Sequence, residues 1–193
     1  RPRGLAKAVR EDFFLRIRLV VLPGAGISAE SGLGTFRDAG GLWSHHALEE
    51  VATPEGFARD PAKVHGFYNA RRENALHAMP NPAHHALAAL GRREGVDLTL
   101  VTQNIDDLHE RAGSLRVIHM HGEILRALCA ACGARWDAPA VMEAGHPCPD
   151  CAVPATRPDV VWFGEIPYHM DRIAGAIETA DLFAAIGTSG EVY

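Results

Sequence analysis

Apolar residues along the chain group in two ways. Five short segments carry nearly unbroken apolar runs: residues 17–22 ("IRLVVL"), 97–106 ("DLTLVTQNID"), 116–124 ("RVIHMHGEI"), 158–165 ("PDVVWFGE") and 181–190 ("DLFAAIGTSG"). Runs of this length that stop at glycine or at a polar cluster predict buried strands. The segments between them are spaced differently. In 53–79, Val64, Phe67, Tyr68, Ala75 and Leu76 recur at helical spacing, with a break at Pro61. In 81–95, Asn81 is placed to cap a helix, Pro82 opens it and Gly95 lies near its end. A further helix is expected over 167–180, and another before Ile17. Strands that alternate with helices predict a parallel α/β sheet covered on both faces. Four of the strand ends carry glycine or polar motifs: 24–28, 103–106, 119–123 and 187–189. In an open parallel sheet, ligands bind outside the carboxyl ends of the strands, so these motifs are expected to meet in one crevice.

Composition changes this picture in one place. All four cysteines of the 193-residue chain fall between 129 and 151, as two C-x-x-C pairs separated by fifteen residues. Disulfide proteins scatter their cysteines to close long loops. This spacing instead matches a zinc ribbon, with Cys129, Cys132, Cys148 and Cys151 as thiolate ligands. Four protein ligands leave no open position, so the metal is expected to be structural and to hold together an insert too poor in apolar residues to fold alone. The net charge of −5 argues against a nucleic-acid surface as the main partner. No apolar run reaches the length of a membrane span. Charges at Glu11, Asp12, Arg16 and Arg18 interrupt the start as a signal peptide would not allow. A cytoplasmic protein is expected.

The candidate chemistry lies at the strand ends. "GAGIS" (24–28) is a G-x-G turn after a strand, where backbone N–H groups can approach a pyrophosphate. The third glycine of the dinucleotide fingerprint is missing, because Glu30 stands there, so a plain strand–helix turn is an equal reading of these five residues alone. Asn104 and Asp106 close the second strand; Asp106 also reads as a cap for the helix that follows, but the pair together at a strand end favours a functional role. Eleven histidines are present. Imidazole titrates near neutrality, as a general base working at pH 7 should. His121 abuts Gly122 at a strand end, whereas His119 is expected on the same strand and face. The others read as surface or packing residues.

Six motifs occur in order: "GAGISAESGLGTFRDAGGLW" (24–43), "TQNIDDLHERAG" (102–113), "HMHGE" (119–123), the four-cysteine ribbon, "RPDVVWFGE" (157–165) and "IGTSGEVY" (186–193). Together they resemble the sirtuins, the NAD-dependent protein lysine deacylases, and the bacterial type in particular, over essentially the whole chain. The resemblance implies a Rossmann-like NAD-binding domain at 1–44, 82–128 and 158–193, a helical insert at 45–81 and a zinc-ribbon insert at 129–157. It implies that Gly24, Ala25 and Gly26 cradle the pyrophosphate, and that Ser28, Asn104 and Asp106 line the nicotinamide and its ribose. Phe36 would shield the reactive ribose carbon, Arg37 would reach the phosphates and Gln103 would hold a ribose hydroxyl. Gly187, Thr188 and Ser189 would contact the adenosine half. His121 would be the general base, with Asn104 and Asp106 beside it as catalytic residues. In sirtuin chemistry the acyl oxygen attacks the ribose carbon and expels nicotinamide. The base then activates a ribose hydroxyl, and the products are lysine, nicotinamide and an O-acyl-ADP-ribose. The segment "VVWFGE" would pair with the substrate backbone as an added β-strand, with Val161 and Phe163 walling the acyl-lysine tunnel.

"FYNARR" bears on the acyl group. Tyr68 and Arg71 lie three apart, hence on one helix face. In sirtuins that prefer acidic acyl chains, a Y-x-x-R pair at this place sits at the tunnel floor, where guanidinium and phenol can hold the distal carboxylate of succinyl-lysine. Arg72 competes with Arg71, and "ARRE" could be only a solvated charged face. Pro23 and Gly34 depart from the residues usual in the family. The family also continues for some dozens of residues past the position of Tyr193, so the C-terminal part of the fold is expected to be missing and the last strand to be an exposed edge. Two rival functions are a mono-ADP-ribosyltransferase or NAD glycohydrolase working in the same pocket, and an inactive truncated zinc-binding module.

Overall fold

The computed structural model describes residues 16–34 and 48–190. The helix expected before Ile17, together with Phe36 and Arg37, lies outside the described residues. Strands β1 (Ile17–Pro23), β2 (Val96–Thr102), β3 (Val117–His119) and β7 (Leu182–Ile186) form a parallel sheet in the order β3-β2-β1-β7. The register pairs Leu19 with Leu98 on one side and with Leu182 on the other. Strand alternation sends Val21 to one face and Val20 to the other. Val21, Leu98 and Leu100 pack with Leu87 of helix α4 (Pro82–Leu90). Val20, Val101 and Ile118 pack with Ile173 of helix α6 (Met170–Glu178). Both faces of the sheet are thus covered, as the alternation of strands and helices requires. β7 is an edge strand, with Leu182, Phe183 and Ile186 exposed.

Two expected strands belong elsewhere. The 116–124 segment is not one strand. It stops at His119 and restarts as β4 (Gly122–Cys129), which pairs antiparallel with β5 (Arg135–Asp137) and β6 (Thr156–Val160) in a second sheet. Gly122 makes the break possible. Its φ is +81°, and a Cβ there would lie 2.2 Å from the Asp159 carbonyl oxygen. The "PDVVWFGE" strand is part of this second sheet rather than the parallel one, and it ends at Val160.

A second core joins this sheet to the helices α1 (Leu48–Val51), α2 (Pro54–Arg59) and α3 (Pro61–His77). Val64, Phe67, Tyr68 and Ala75 of α3 pack with Ile124, Val160 and Trp162. Pro61 breaks the helical pattern as expected. Thr53 caps α2 by accepting from the Gly56 amide (3.0 Å), and Asp60 caps α3 by accepting from the Lys63 amide (3.0 Å). Asn81 caps α4, and Pro82 opens it. Gly95 lies beyond that helix, in the turn entering β2 with φ +79°.

Candidate active site

A pocket of about 320 Å³ opens where the strand ends of the parallel sheet face α3 and the segment after β6. It is lined by Ala25, Ser28, Gln103, Asn104, Asp106 and His121 from the sheet side, by Tyr68 and Arg71 from α3, and by Val161 and Phe163. These residues come from five separate stretches of sequence, and the fold brings them to one wall or another of the same cavity.

The floor is a buried polar network. The Ser28 hydroxyl donates to Asp106 Oδ2 (3.0 Å), and Asn104 Nδ2 donates to Ser28 Oγ (3.1 Å) and to the Gly24 carbonyl (3.2 Å). The Asn104 amide is held by Thr102 Oγ1 (3.0 Å). Asp106 Oδ1 accepts from the Leu108 amide (3.1 Å), so the carboxylate steadies the entry to helix α5 (Leu108–Arg111) while it faces the pocket. Burial raises the Asp106 pKa, and the Leu108 amide and the Ser28 hydroxyl pull it partly back.

His84 completes this network, and sequence reasoning missed it. The Asn81 amide donates to His84 Nδ1 (3.3 Å), which makes Nδ1 an acceptor and puts the ring proton on Nε2. Nε2 lies 3.4 Å from Ser28 Oγ, so the serine accepts from two groups and has only Asp106 to donate to. Burial keeps the His84 pKa below its ordinary value. The one available signal was its place three residues after the Asn81 cap, the second half of a capping box.

The two histidines of "HMH" part company. His119 closes β3, is buried, and sits between Glu110 (Nε2 to Oε1, 2.8 Å) and the Asn104 carbonyl (Nδ1 to O, 3.2 Å). Burial opposes its charge, but the hydrogen bond and the charge of Glu110 outweigh this and raise its pKa. His121 follows the strand and lines the pocket. Its Nδ1 lies 3.0 Å from the Gln103 carbonyl oxygen, which only accepts, so Nδ1 carries the proton and Nε2 the lone pair. Burial lowers its pKa, against a smaller opposite effect of the Gln103 carbonyl. A neutral imidazole with its lone pair on Nε2 is what a general base needs. The expectation that the two rings share one strand face is corrected by the break at Met120–His121.

The glycine loop is set by a neighbouring loop. The Gly24 amide donates to the Ile186 carbonyl (2.9 Å) and the Gly26 amide to the Gly187 carbonyl (2.8 Å). A Cβ on Gly24 would lie 2.6 Å from Thr188 Cβ, and one on Gly26 would lie 2.9 Å from Gly187 Cα. Both glycines are therefore demanded by close packing against Gly187 and Thr188, and their N–H groups are spent there rather than left open to an anion. Thr188 also donates to Gln103 Oε1 (2.7 Å), which ties β7 to the end of β2. Ser189 follows on the same loop. The helix after the loop is a 3-10 turn over Ala25–Ser31.

Arg71 and Arg72 also differ. Arg72 is 1% exposed and donates to the Ile124 carbonyl (3.0 Å) and to Asn69 Oδ1 (2.9 Å). It is a structural cation inside the second core, so "ARRE" is not the solvated face that the sequence allowed. Arg71 lines the pocket, its guanidinium 5.7 Å from the Phe67 ring centroid, and burial lowers its pKa. Tyr68 is 3% exposed, and burial pushes its phenol up to about 12.

The four cysteines form the cluster that their spacing predicts. Their sulfurs all lie within 4.8 Å of one another, and the Cys129–Cys151 and Cys132–Cys148 pairs are 3.7 Å apart. Four sulfurs at Zn–S bond length around a tetrahedral Zn²⁺ are about 3.8 Å apart. The set fits a structural zinc closed on all four sides.

In the segment 161–165 the backbone amides of Val161, Phe163 and Glu165 donate to the carbonyls of His121, Ala52 and Trp162, and the Trp162 amide donates to Glu165 Oε2.

Comparison with known proteins adds to this geometry. The Sir2 family matches residues 24–193. The NAD-dependent protein deacylase of Caulobacter vibrioides is 56% identical over 181 residues, which is 92% of this chain and 76% of that relative. A solved Sir2 homologue–NAD complex shares 44% identity at a TM-score of 0.82, over 90% of this chain and 69% of that one. A Sir2 protein bound to a propionylated peptide shares 30% identity at 0.73, over 91% and 72%.

Proposed function

The chain belongs to the Sir2 family and is an NAD-dependent protein deacylase, and we propose that it removes succinyl as well as acetyl groups from lysine side chains of proteins. What supports the acyl range most is that Tyr68 and Arg71 line the same pocket as His121. A guanidinium and a neutral phenol on one wall offer a distal carboxylate two kinds of donor. The acetyl group needs neither.

NAD supplies the electrophilic ribose carbon and a good leaving group. The residues of this chain hold and prepare that centre. Ser28, Asn104 and Asp106 present a fixed set of donors and acceptors at the floor, where nicotinamide and ribose would lie. Gln103, Gly24, Ala25, Gly26, Gly187, Thr188 and Ser189 would hold the remainder of the dinucleotide, with Phe36 and Arg37. Because the Gly24 and Gly26 amides are used within the protein, their part is to bring the backbone close rather than to donate. His121 would take a proton at Nε2, and the Gln103 carbonyl holds its ring in the tautomer that allows this. Val161 and Phe163 would wall the lysine tunnel, with the substrate backbone added as a strand through the carbonyls beside them. The reading places the protein in the cytoplasm, without nucleic-acid or membrane partners. Among the described residues no helix is long and apolar enough to cross a membrane.

Replacing Arg71 with Met tests the acyl reading. The ratio of kcat/KM for a succinyl-lysine peptide to that for the acetyl peptide should fall about a hundredfold, the scale of a lost charge-assisted pair. Equal loss of both activities would exclude Arg71 as a selector.

A further inference from the structure

Trp162 stands between the wall residues Val161 and Phe163 and has no part in the chemistry so far described. Its side chain is 2% exposed, and its indole Nε1–H donates to the Tyr68 phenol oxygen at 2.9 Å. The ring is held firmly. The Arg157 guanidinium carbon lies 3.4 Å from its centroid, and both terminal nitrogens of that guanidinium donate to Glu165, at 2.6 and 2.9 Å. The same carboxylate accepts from the Trp162 amide (2.8 Å), and the Phe57 ring packs with the indole at 5.2 Å between centroids.

The consequence falls on Tyr68. An indole N–H only donates, whereas a phenol has one hydrogen and an oxygen that accepts. In this contact the Tyr68 oxygen must therefore be the acceptor, and its own O–H bond must point away from the indole. The O–H of a free phenol lies in the ring plane and can point to either side of the C–O bond. Here one choice is removed by a donor that is itself clamped.

We propose that Trp162 is a positioning residue for acyl selection: its N–H fixes the Tyr68 hydroxyl as a donor beside Arg71, so that the distal carboxylate of an acidic acyl group meets an oriented O–H. This rests on the reading of Tyr68 and Arg71 as acyl selectors. A short neutral acyl group ends before these groups and draws nothing from the orientation. The expected signature is a change in substrate preference expressed in KM more than in kcat, because the distal carboxylate is far from the reacting bond and is bound alike before and during reaction.

A double-mutant cycle on the full chain tests this. Trp162→Phe keeps an aromatic ring over Arg157 and removes the N–H, and Tyr68→Phe removes the acceptor and keeps the tryptophan. The succinyl-to-acetyl ratio of kcat/KM should fall about fivefold in Trp162→Phe, the scale of one net hydrogen bond, mostly through a higher KM for the succinyl peptide. In the Tyr68→Phe background the same tryptophan substitution should no longer move the ratio. The proposal is overturned if Trp162→Phe lowers both substrates equally, or if it acts as strongly when Tyr68 is already Phe. Should Trp162→Phe not fold, Tyr68→Phe alone must still lower the ratio at least fivefold, and an unchanged ratio overturns the proposal. Arg71→Met separates the two levels. If it leaves the ratio unchanged, the acyl reading fails and the role of Trp162 with it. If it collapses the ratio while Trp162→Phe does not, only the role of Trp162 fails.

Discussion

Two histidines two residues apart have their pKa values pushed in opposite directions here, and the backbone decides which is which. His119 ends a strand, so its ring is packed inward between Glu110 and the Asn104 carbonyl and favours the charged form. His121 lies past the end of that strand, where the Gln103 carbonyl fixes its tautomer and burial favours the neutral form. The choice of His121 as the proposed base came from "HMHGE", but the tautomer of its ring was not legible there, since it depends on a carbonyl eighteen positions away in sequence. With a pKa below the ordinary 6.5, His121 is neutral at pH 7. The plot of kcat/KM against pH should be flat near neutrality and fall tenfold per unit as pH drops below that pKa. His121→Ala should lose deacylation by about 10²–10⁴-fold. Exchange of labelled nicotinamide should persist, because the base acts after nicotinamide has left. Loss of exchange and deacylation together would contradict the role given to His121. His84 shows the opposite limit of legibility. Nothing in "NPAHH" says that its ring reaches Ser28, fifty-six positions earlier, because that contact exists only once α4 is laid against the glycine loop.

At the scale of elements, the strands and helices were readable wherever the hydrophobic period was unbroken. Strand β1, helices α2 and α3, and the Asn81 cap follow from local spacing and proline placement. The second sheet did not follow. Parallel and antiparallel strands carry similar short apolar runs, and what separates β4 from β3 is one glycine that must pass the Asp159 carbonyl. The burial of Arg72 was not legible for a related reason. Its acceptors are the Ile124 carbonyl and Asn69 Oδ1, and the first belongs to the sheet that the sequence did not reveal. The zinc lobe is tied to α3 through the same region. Asn69 Nδ2 donates to the Met142 carbonyl (2.8 Å) and its Oδ1 accepts from the Met142 amide (3.0 Å), one residue from Tyr68 along α3. Purified protein should carry one zinc ion per chain. Cys132→Ser or chelation should lower the melting temperature by about 10 °C or more, since binding energy at such a site is folding energy, and deacylation should fall with it. Fully active protein with less than a tenth of that zinc would refute a structural metal.

Over the whole molecule, the candidate pocket is assembled at the meeting of two cores. One is the doubly covered parallel sheet, which brings Ser28, Gln103, Asn104 and His121 to its strand ends. The other is the helix–sheet unit that supplies Tyr68, Arg71, Val161 and Phe163. That convergence was legible, because strand ends of a parallel sheet must lie on one side. Its far wall was legible only through the family resemblance. The chain spans 76% of the length of its Caulobacter relative, and β7, whose loop locks the glycine turn, is a sheet edge with exposed Phe183. The most direct test of the account is therefore to give this 193-residue chain NAD and a succinyl-lysine peptide, and to look for O-succinyl-ADP-ribose by mass spectrometry. That product should appear in step with free lysine peptide and nicotinamide, and only when NAD is present. Nicotinamide release with ADP-ribose attached to protein or freed by water, and no O-acyl product, would contradict it.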